Sequence, residues 1–214
     1  MRNPVGSHVF VGPGLVSGAL RTAATIEAEA VQVFVGNPRG WAPSAGDPAV
    51  DEAFRATCLE RGVRSFVHTP YLVNLGSPTP ATYERSVATV EHNLRRAARL
   101  GAEGVVVHTG SCVDDGNVDA ALRQVREGLL PVLDVLDEDA PWLLLEPTAG
   151  QGRSLCGRVE ELGPYLDALD RHPVSGCAST PVTFSPRVRR STSAVVRRGP
   201  STGSSRSPVP DACD

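Results

Sequence analysis

Short apolar runs alternate with longer segments of helical periodicity over the first 172 residues. The apolar runs predict strands at 5–11, 31–35, 65–68, 105–108 and 141–146. The longer segments predict helices at 14–30, 47–61, 80–100, 118–136 and 158–169. Strands that alternate with helices and consist largely of Val and Leu are typical of parallel sheets that are buried on both faces. The pattern therefore predicts an α/β fold.

Three of the predicted strands end in a side chain that can bind a metal ion. His68 ends the third strand, His108 the fourth and Glu146 the fifth. Because adjacent parallel strands lie about 4.8 Å apart, these side chains should fall within roughly 10 Å of one another. Two imidazoles and a carboxylate suit Zn²⁺. A structural, hydrogen-bonded role is the alternative for any single histidine, and the alignment of three strand ends weakens it.

Other polar residues near the strands carry weaker signals. His8 ends no predicted strand and by itself indicates a structural role, and His92 lies in a mostly polar helical stretch that should face solvent. Arg39 and Trp41 follow the second strand and could contact a ligand, although loop residues of these types commonly serve packing or surface roles. The Gly-rich turn at 150–152 is too weak a signal to predict phosphate binding.

Composition and charge exclude several classes of protein. The net charge is −3, and residues 1–172 carry 15 Arg against 22 acids, so bulk charge does not favour nucleic-acid binding. A phosphate partner would need a local patch or bound cations. No run approaches the roughly 18 apolar residues of a membrane span, so we expect a cytoplasmic protein without a membrane partner. Five widely spaced cysteines favour reduced thiols over disulfides or a thiolate zinc site.

Residues 173–214 differ in composition from the preceding part of the chain. They contain nine Ser, six Pro and six Arg, with no Leu, Ile or Glu. No strand or helix period persists there. We therefore divide the chain into a folded domain, 1–172, and a disordered or non-native tail, 173–214.

Five short motifs within residues 5–172 indicate a protein family when they are considered together. They are Gly6-Ser7-His8-Val9, Gly36-Asn37-Pro38-Arg39, the segment 67–75, the segment 107–111 and the segment 145–152. Together they resemble the endonuclease IV family of apurinic/apyrimidinic endonucleases. The resemblance implies a TIM barrel that holds three zinc ions and cleaves DNA on the 5′ side of an abasic site. DNA containing abasic sites is then the partner, and no protein partner is predicted.

The resemblance also implies which residues build the metal centre. His68 and His108 would bind one zinc ion, and Glu146 would bridge it to a second. Glu146 and His8, beside the metals, would be the catalytic residues. The implied reaction is hydrolysis of the phosphodiester, with zinc ions stabilising the attacking and leaving oxygens.

Three further residues would contact DNA by the same resemblance. Arg39 and Tyr71 match positions that enter the duplex beside the extruded abasic nucleotide, and Asn37 adjoins them. Extrusion costs little because an abasic position has no base to unpair.

The sequence also departs from the family pattern. Pro147 follows Glu146 where the family has Asn, and Thr109 follows His108 where Pro is usual. The later motifs of the family, which carry six of its nine zinc ligands, have no counterpart in 173–214. At most one or two zinc ions are therefore supported by this chain.

The tail itself suggests why those motifs are missing. When the third base of each codon is read with the first two of the next, residues 178–183 can encode Leu-Asp-Thr-Cys-His through synonymous choices alone. Residues 175–178 can encode Gly-Val-Cys in the same frame, at the place where the resemblance puts the family's sixth strand, although the hydrophobic pattern of the written residues predicts none there. We hypothesise a frameshift near His172, in the gene or its sequencing, followed by an out-of-frame tail.

The expected fold is thus a TIM barrel cut after about five of eight βα units, with unpaired terminal strands and poor solubility or oligomerisation. The expected function is that of a zinc-dependent abasic-site endonuclease whose activity is impaired in this chain. One alternative is an inactive product that binds a single zinc weakly through His68, His108 and Glu146. A second is a sugar isomerase or epimerase on a related barrel, which fits the motifs less well.

Overall fold

Six parallel strands form one sheet in chain order within the part of the protein that the structure, a computed structural model, describes: residues 3–113, 117–137, 139–148 and 153–178. The strands are β1 (Gly6–His8), β2 (Ala30–Phe34), β3 (Arg64–His68), β4 (Gly104–His108), β5 (Trp142–Glu146) and β6 (Ser175–Cys177). Each connection between consecutive strands contains a helix, so the topology is that of successive βα units. No described helix is long and apolar enough to cross a membrane.

The helices match the predicted order and most of the predicted bounds. The α-helices are α1 (Arg21–Thr25), α2 (Pro48–Arg61), α3 (Pro80–Leu100), α4 (Val118–Leu133) and α5 (Leu162–Ala168). A π-helical segment (Leu15–Leu20) leads into α1, and a 3-10 turn (Val159–Glu161) leads into α5. Asp47 caps α2 by accepting a hydrogen bond from the Ala49 amide at 2.8 Å. Helices α2 and α3 both end where a glycine, Gly62 or Gly101, adopts a left-handed backbone with φ 64°.

The two faces of the sheet have different environments. The face covered by the helices carries side chains that are at most 1% exposed: Val31, Val33, Val67, Val105, Val107, Leu143 and Leu145. The opposite face, which corresponds to the barrel interior, carries two rows of registered residues. One row is Gln32, Phe66, Gly104 and Trp142, and the next is Phe34, His68, Val106, Leu144 and Gly176. Most of the large side chains in these rows are only half-buried, because the described strands do not close into a ring.

The first helix is shorter than the predicted segment 14–30. A π-helical turn occupies Leu15–Leu20, and α1 ends at Thr25. The hydroxyls of Ser17, Thr22 and Thr25 each donate to a carbonyl four residues earlier, which competes with regular helix hydrogen bonding. The helix therefore ends before Ala30, which already belongs to β2.

The sixth strand corrects the predicted boundary at residue 172. Ser175–Cys177 pairs in parallel with Leu143–Leu145 and is fully buried, so regular structure extends into the segment predicted as tail. Gly176 fits here because a Cβ at this position would lie 3.1 Å from the Trp142 ring. Three small residues with no hydrophobic period gave no strand signal in the sequence. Residues 179–214 lie outside the described residues.

Candidate metal centre

The side chains that end β3, β4 and β5 bring three metal-binding atoms within 4.8 Å of one another. His108 lies directly opposite Glu146 in the sheet, and His68 lies opposite Val106, two residues earlier on the same face. Nε2 of His68 is 3.2 Å from Oε2 of Glu146, and Nε2 of His108 is 3.6 Å from the same oxygen. The carboxylate oxygen therefore lies between the two imidazoles.

A hydrogen bond to the backbone fixes the tautomer of His68. Its Nδ1 donates to the carbonyl oxygen of Thr69 at 2.6 Å, so in the neutral ring Nε2 carries a lone pair. That lone pair faces the carboxylate of Glu146, which is also an acceptor. His68 and Glu146 are only 5% and 7% exposed. Two buried acceptors at this distance need a proton or a metal cation between them.

The neutral form of His108, which a metal ligand requires, is favoured by its surroundings. Burial lowers the pKa of His108, the nearby His68 lowers it further, and Glu146 partly opposes both effects. The pKa of His8 is also lowered, first by burial and then by the charge of the nearby His68. Two imidazole nitrogens and a carboxylate oxygen in this arrangement fit Zn²⁺, which accepts such ligands.

Aromatic rings surround the three candidate ligands. The Phe34 ring lies 4.6 Å from His8, 5.2 Å from His68 and 5.2 Å from Tyr71, measured between ring centroids. Tyr71 in turn lies 5.8 Å from His68 and 5.9 Å from His108. These rings limit the positions available to the imidazoles and shield one side of the site from water. Phe34 was missed by sequence reasoning, although it ends β2 and stands in register with His68.

His8 lies beside this cluster and ends β1, so the prediction that it ends no strand is wrong. The strand stops at His8 rather than continuing to residue 11, and the chain then turns: the Gly14 amide donates to the Val11 carbonyl. The His8 ring centroid is 5.9 Å from that of His68. His8 is an exposed neighbour of the candidate ligands and is not one of the three atoms that converge.

The predicted DNA-contacting residues lie on two adjoining loops. Tyr71 is 53% exposed, and its amide donates to the Pro38 carbonyl at 2.9 Å, which joins the loop after β3 to the loop after β2. Asn37 accepts from the Arg39 amide at 2.9 Å, and both side chains are exposed. Of these three residues, Tyr71 alone reaches the metal cluster. Arg39 and Asn37 lie on the neighbouring rim.

Two further sequence predictions concern residues on or near the loop after β2. His92, which was expected to face solvent, is half-buried and its Nε2 lies 3.0 Å from the Ser44 carbonyl oxygen. The side chain is therefore only partly exposed to solvent, because the loop folds back over α3. Trp41 is half-buried against the hydrophobic core, which agrees with the packing alternative. The turn at 150–152 lies outside the described residues.

Comparisons with known proteins identify the family and the fold class of the chain. A family model described as a xylose isomerase-like TIM barrel matches residues 20–185. The crystal structure of endonuclease IV from Thermus thermophilus superposes with a TM-score of 0.63 at 34% identity, covering 79% of this chain and 72% of that one. The chain belongs to the endonuclease IV family. The resemblance inferred from the five motifs and the predicted TIM barrel class are therefore confirmed.

Two Streptomyces relatives of the endonuclease IV family show how much of the protein the match covers. Proteins named probable endonuclease 4 from Streptomyces coelicolor and Streptomyces avermitilis are 57% and 56% identical to this chain over 181 residues, which is 84% of its length. The chain spans 62% and 58% of their lengths. An L-ribulose 3-epimerase structure also superposes, with a TM-score of 0.65 at 12% identity, covering 83% of this chain and 60% of that one. That likeness concerns the fold alone.

Proposed function

We propose that the chain is part of a zinc-dependent abasic-site endonuclease. It carries the part of the metal centre that binds the first zinc ion. His68, His108 and Glu146 would hold that ion, and Glu146 would reach a second. The reaction would be hydrolysis of the phosphodiester on the 5′ side of an abasic site. Because six of the family's nine zinc ligands have no counterpart in the sequence, we expect the cleavage activity of this chain to be impaired.

The convergence of three possible ligand atoms is the observation that carries the proposal. Nε2 of His68 and Oε2 of Glu146 face each other as two acceptors when the His68 ring is neutral, and Nε2 of His108 lies 3.6 Å from the same oxygen. A divalent cation removes this conflict. The Thr69 carbonyl holds His68 in the tautomer that a metal needs, an arrangement common among histidine ligands.

Different residues of the chain would have different roles in metal binding and in contact with a bound ligand. Bound zinc would supply Lewis acidity toward the phosphodiester. His68, His108 and Glu146 would hold it at the carboxyl edge of the sheet, and His8 lies near enough to contact a ligand there. Phe34 and Tyr71 pack against the His68 ring, with centroids 5.2 and 5.8 Å away, and limit the positions that it can take.

The rim residues support DNA as the partner. Tyr71 presents an exposed ring whose centroid lies 5.8 Å from that of His68 and 5.9 Å from that of His108, and Arg39 presents an exposed cation on the adjoining loop. We propose that Tyr71 and Arg39 enter the duplex beside the abasic nucleotide and that Asn37 fixes the turn that presents Arg39. An acidic chain would need such a local contact together with the metal charge to bind a polyanion.

Metal binding and cleavage can be tested separately. Titration with Co²⁺, followed by its visible absorption, should give one site that is lost in His68→Ala and Glu146→Ala and kept in the matched control His92→Gln. A nicking assay on a labelled duplex with one abasic site, with and without a chelator, then tests cleavage. Metal-dependent nicking 5′ to the lesion supports the endonuclease. Metal binding without nicking supports the inactive zinc-binding alternative, and absence of metal binding would contradict both.

A further inference from the structure

The loops that follow the two histidine strands meet at a single side-chain amide. Oδ1 of Asn74, in the loop after β3, accepts from the Gly76 amide at 3.1 Å and from the Ser111 amide at 2.9 Å. Ser111 belongs to the loop after β4. One oxygen atom therefore closes a turn within its own loop and ties that loop to its neighbour.

Glycines on both sides of this contact allow the backbones to approach closely. Gly110 has φ +81°, and a Cβ there would lie 2.6 Å from Oδ1 of Asn74. A Cβ at Gly76 would lie 3.1 Å from the carbonyl oxygen of Ser111. Neither position has room for a side chain unless a neighbour moves, so the spacing of the two loops is set sterically as well as by hydrogen bonds.

Both loops are also held from the far side. The Asn74 amide donates to Oγ of Ser86 on α3 at 2.9 Å, and the Gly110 carbonyl accepts from the Leu155 amide at 2.9 Å. The side-chain amide of Gln124 on α4 donates to the carbonyls of Leu75 and Ser77 at 3.0 and 2.8 Å. The Asn74 contact is thus a direct bridge between two loops that are each also anchored elsewhere.

This bridge lies close to the candidate ligands along the chain. Asn74 follows His68 by six residues, and Ser111 follows His108 by three. We propose that Asn74 is a positioning residue that fixes the spacing of the β3 and β4 loops and, through it, the separation of the His68 and His108 imidazoles. The consequence for metal affinity rests on the function proposed above, whereas the spacing of the loops does not.

Asn74→Leu and Asn74→Asp separate positioning from general stability. Leucine is close in size but cannot accept a hydrogen bond, whereas aspartate keeps an acceptor for both amides. The control is Asn117→Ala, which removes an asparagine cap at the far end of the β4 loop, six residues after Ser111, where its side chain accepts from the Ala120 amide of α4. All three variants are compared with the unaltered chain at equal concentration.

The first measurement needs no metal. Hydrogen exchange of the Ser111 amide, followed by mass spectrometry with residue-level fragmentation, should be about tenfold faster in Asn74→Leu, as expected when one hydrogen bond is lost. It should be near the original rate in Asn74→Asp and unchanged in Asn117→Ala. Unchanged exchange in Asn74→Leu, or equal acceleration in Asn117→Ala, would overturn the proposal.

The second measurement concerns the ligands. Co²⁺ should bind about tenfold more weakly to Asn74→Leu, with an altered visible spectrum, and normally to Asn74→Asp. Faster Ser111 exchange with unchanged Co²⁺ affinity and spectrum would refute the link to the imidazoles. If the unaltered chain binds no Co²⁺, the proposed function fails, and the exchange comparison alone decides whether Asn74 sets the loop spacing.

Discussion

Asp51→Ala should destabilise the protein by about 3–5 kcal/mol, because it leaves a buried arginine without its counter-ion. Nη2 of Arg96, on α3, donates to Oδ1 of Asp51, on α2, at 2.7 Å. Their side chains are only 5% and 3% exposed. Arg96 also donates to the Ser44 carbonyl at 3.0 Å, so the pair anchors the end of the loop that carries Asn37 and Arg39.

The magnitude follows from the burial of the pair. A domain of this size is stable by roughly 5–15 kcal/mol, so the loss removes a large part of the total. At about 2–4 °C per kcal/mol, the melting temperature should fall by roughly 6–20 °C. Arg99 cannot replace the lost counter-ion, since it is itself a cation and its Nε lies 3.6 Å from Oδ2 of the same Asp51. Replacing both charges, as in Asp51→Leu with Arg96→Met, should recover most of the loss.

Urea unfolding followed by tryptophan fluorescence gives the free energies of unfolding for Asp51→Ala, for the single variants Asp51→Leu and Arg96→Met, and for the double variant. The control is Asp167→Ala, which removes a pair of the same length, Arg171 to Asp167 at 2.7 Å, whose side chains are 49% and 61% exposed. We expect the control to unfold almost as the unaltered chain does. The reasoning is refuted if Asp51→Ala costs no more than Asp167→Ala, or if the double variant is less stable than either single one.

Three further predictions concern other parts of the molecule. Burial raises the pKa of Cys58 from 9.0 to about 11. The stability that the neutral thiol contributes should therefore be full below pH 9 and be lost as the pH rises toward 11. The free energy of unfolding should fall less steeply with alkaline pH in Cys58→Ala, and an identical pH profile would contradict this. The half-buried interior face and the terminal strands β1 and β6 should cause self-association, which sedimentation velocity over a range of concentrations would detect; a monomer at every concentration would count against it. Nucleotide sequencing of codons 170–185 should reveal the hypothesised frameshift, and an unbroken frame that encodes the written tail in independent isolates would remove it.

The sequence predicted those features that depend only on residues close together in the chain. The bounds of α3 were predicted to the residue, because Pro80 opens it and Gly101 closes it. The three candidate ligands were found because each directly follows a run of apolar strand residues. The sixth strand was missed because Ser175, Gly176 and Cys177 have neither the size nor the alternation of a typical strand. They are held by the ladder to β5 and by the Trp142 ring, which are contacts that no local pattern encodes.

The arrangement of the metal centre depends on register, which the sequence does not contain. Counting residues from strand end to strand end would place His68 level with His108, yet His68 pairs with Val106 and stands two residues lower. Phe34 is level with His68 through the β2–β3 pairing, and Glu146 is level with His108, so the stagger brings the Glu146 carboxylate within reach of both imidazoles. A parallel pair admits any even shift without moving a side chain to the other face. The shift is therefore chosen by the packing of helices and loops, and the Asn74 bridge is one of the contacts that hold it.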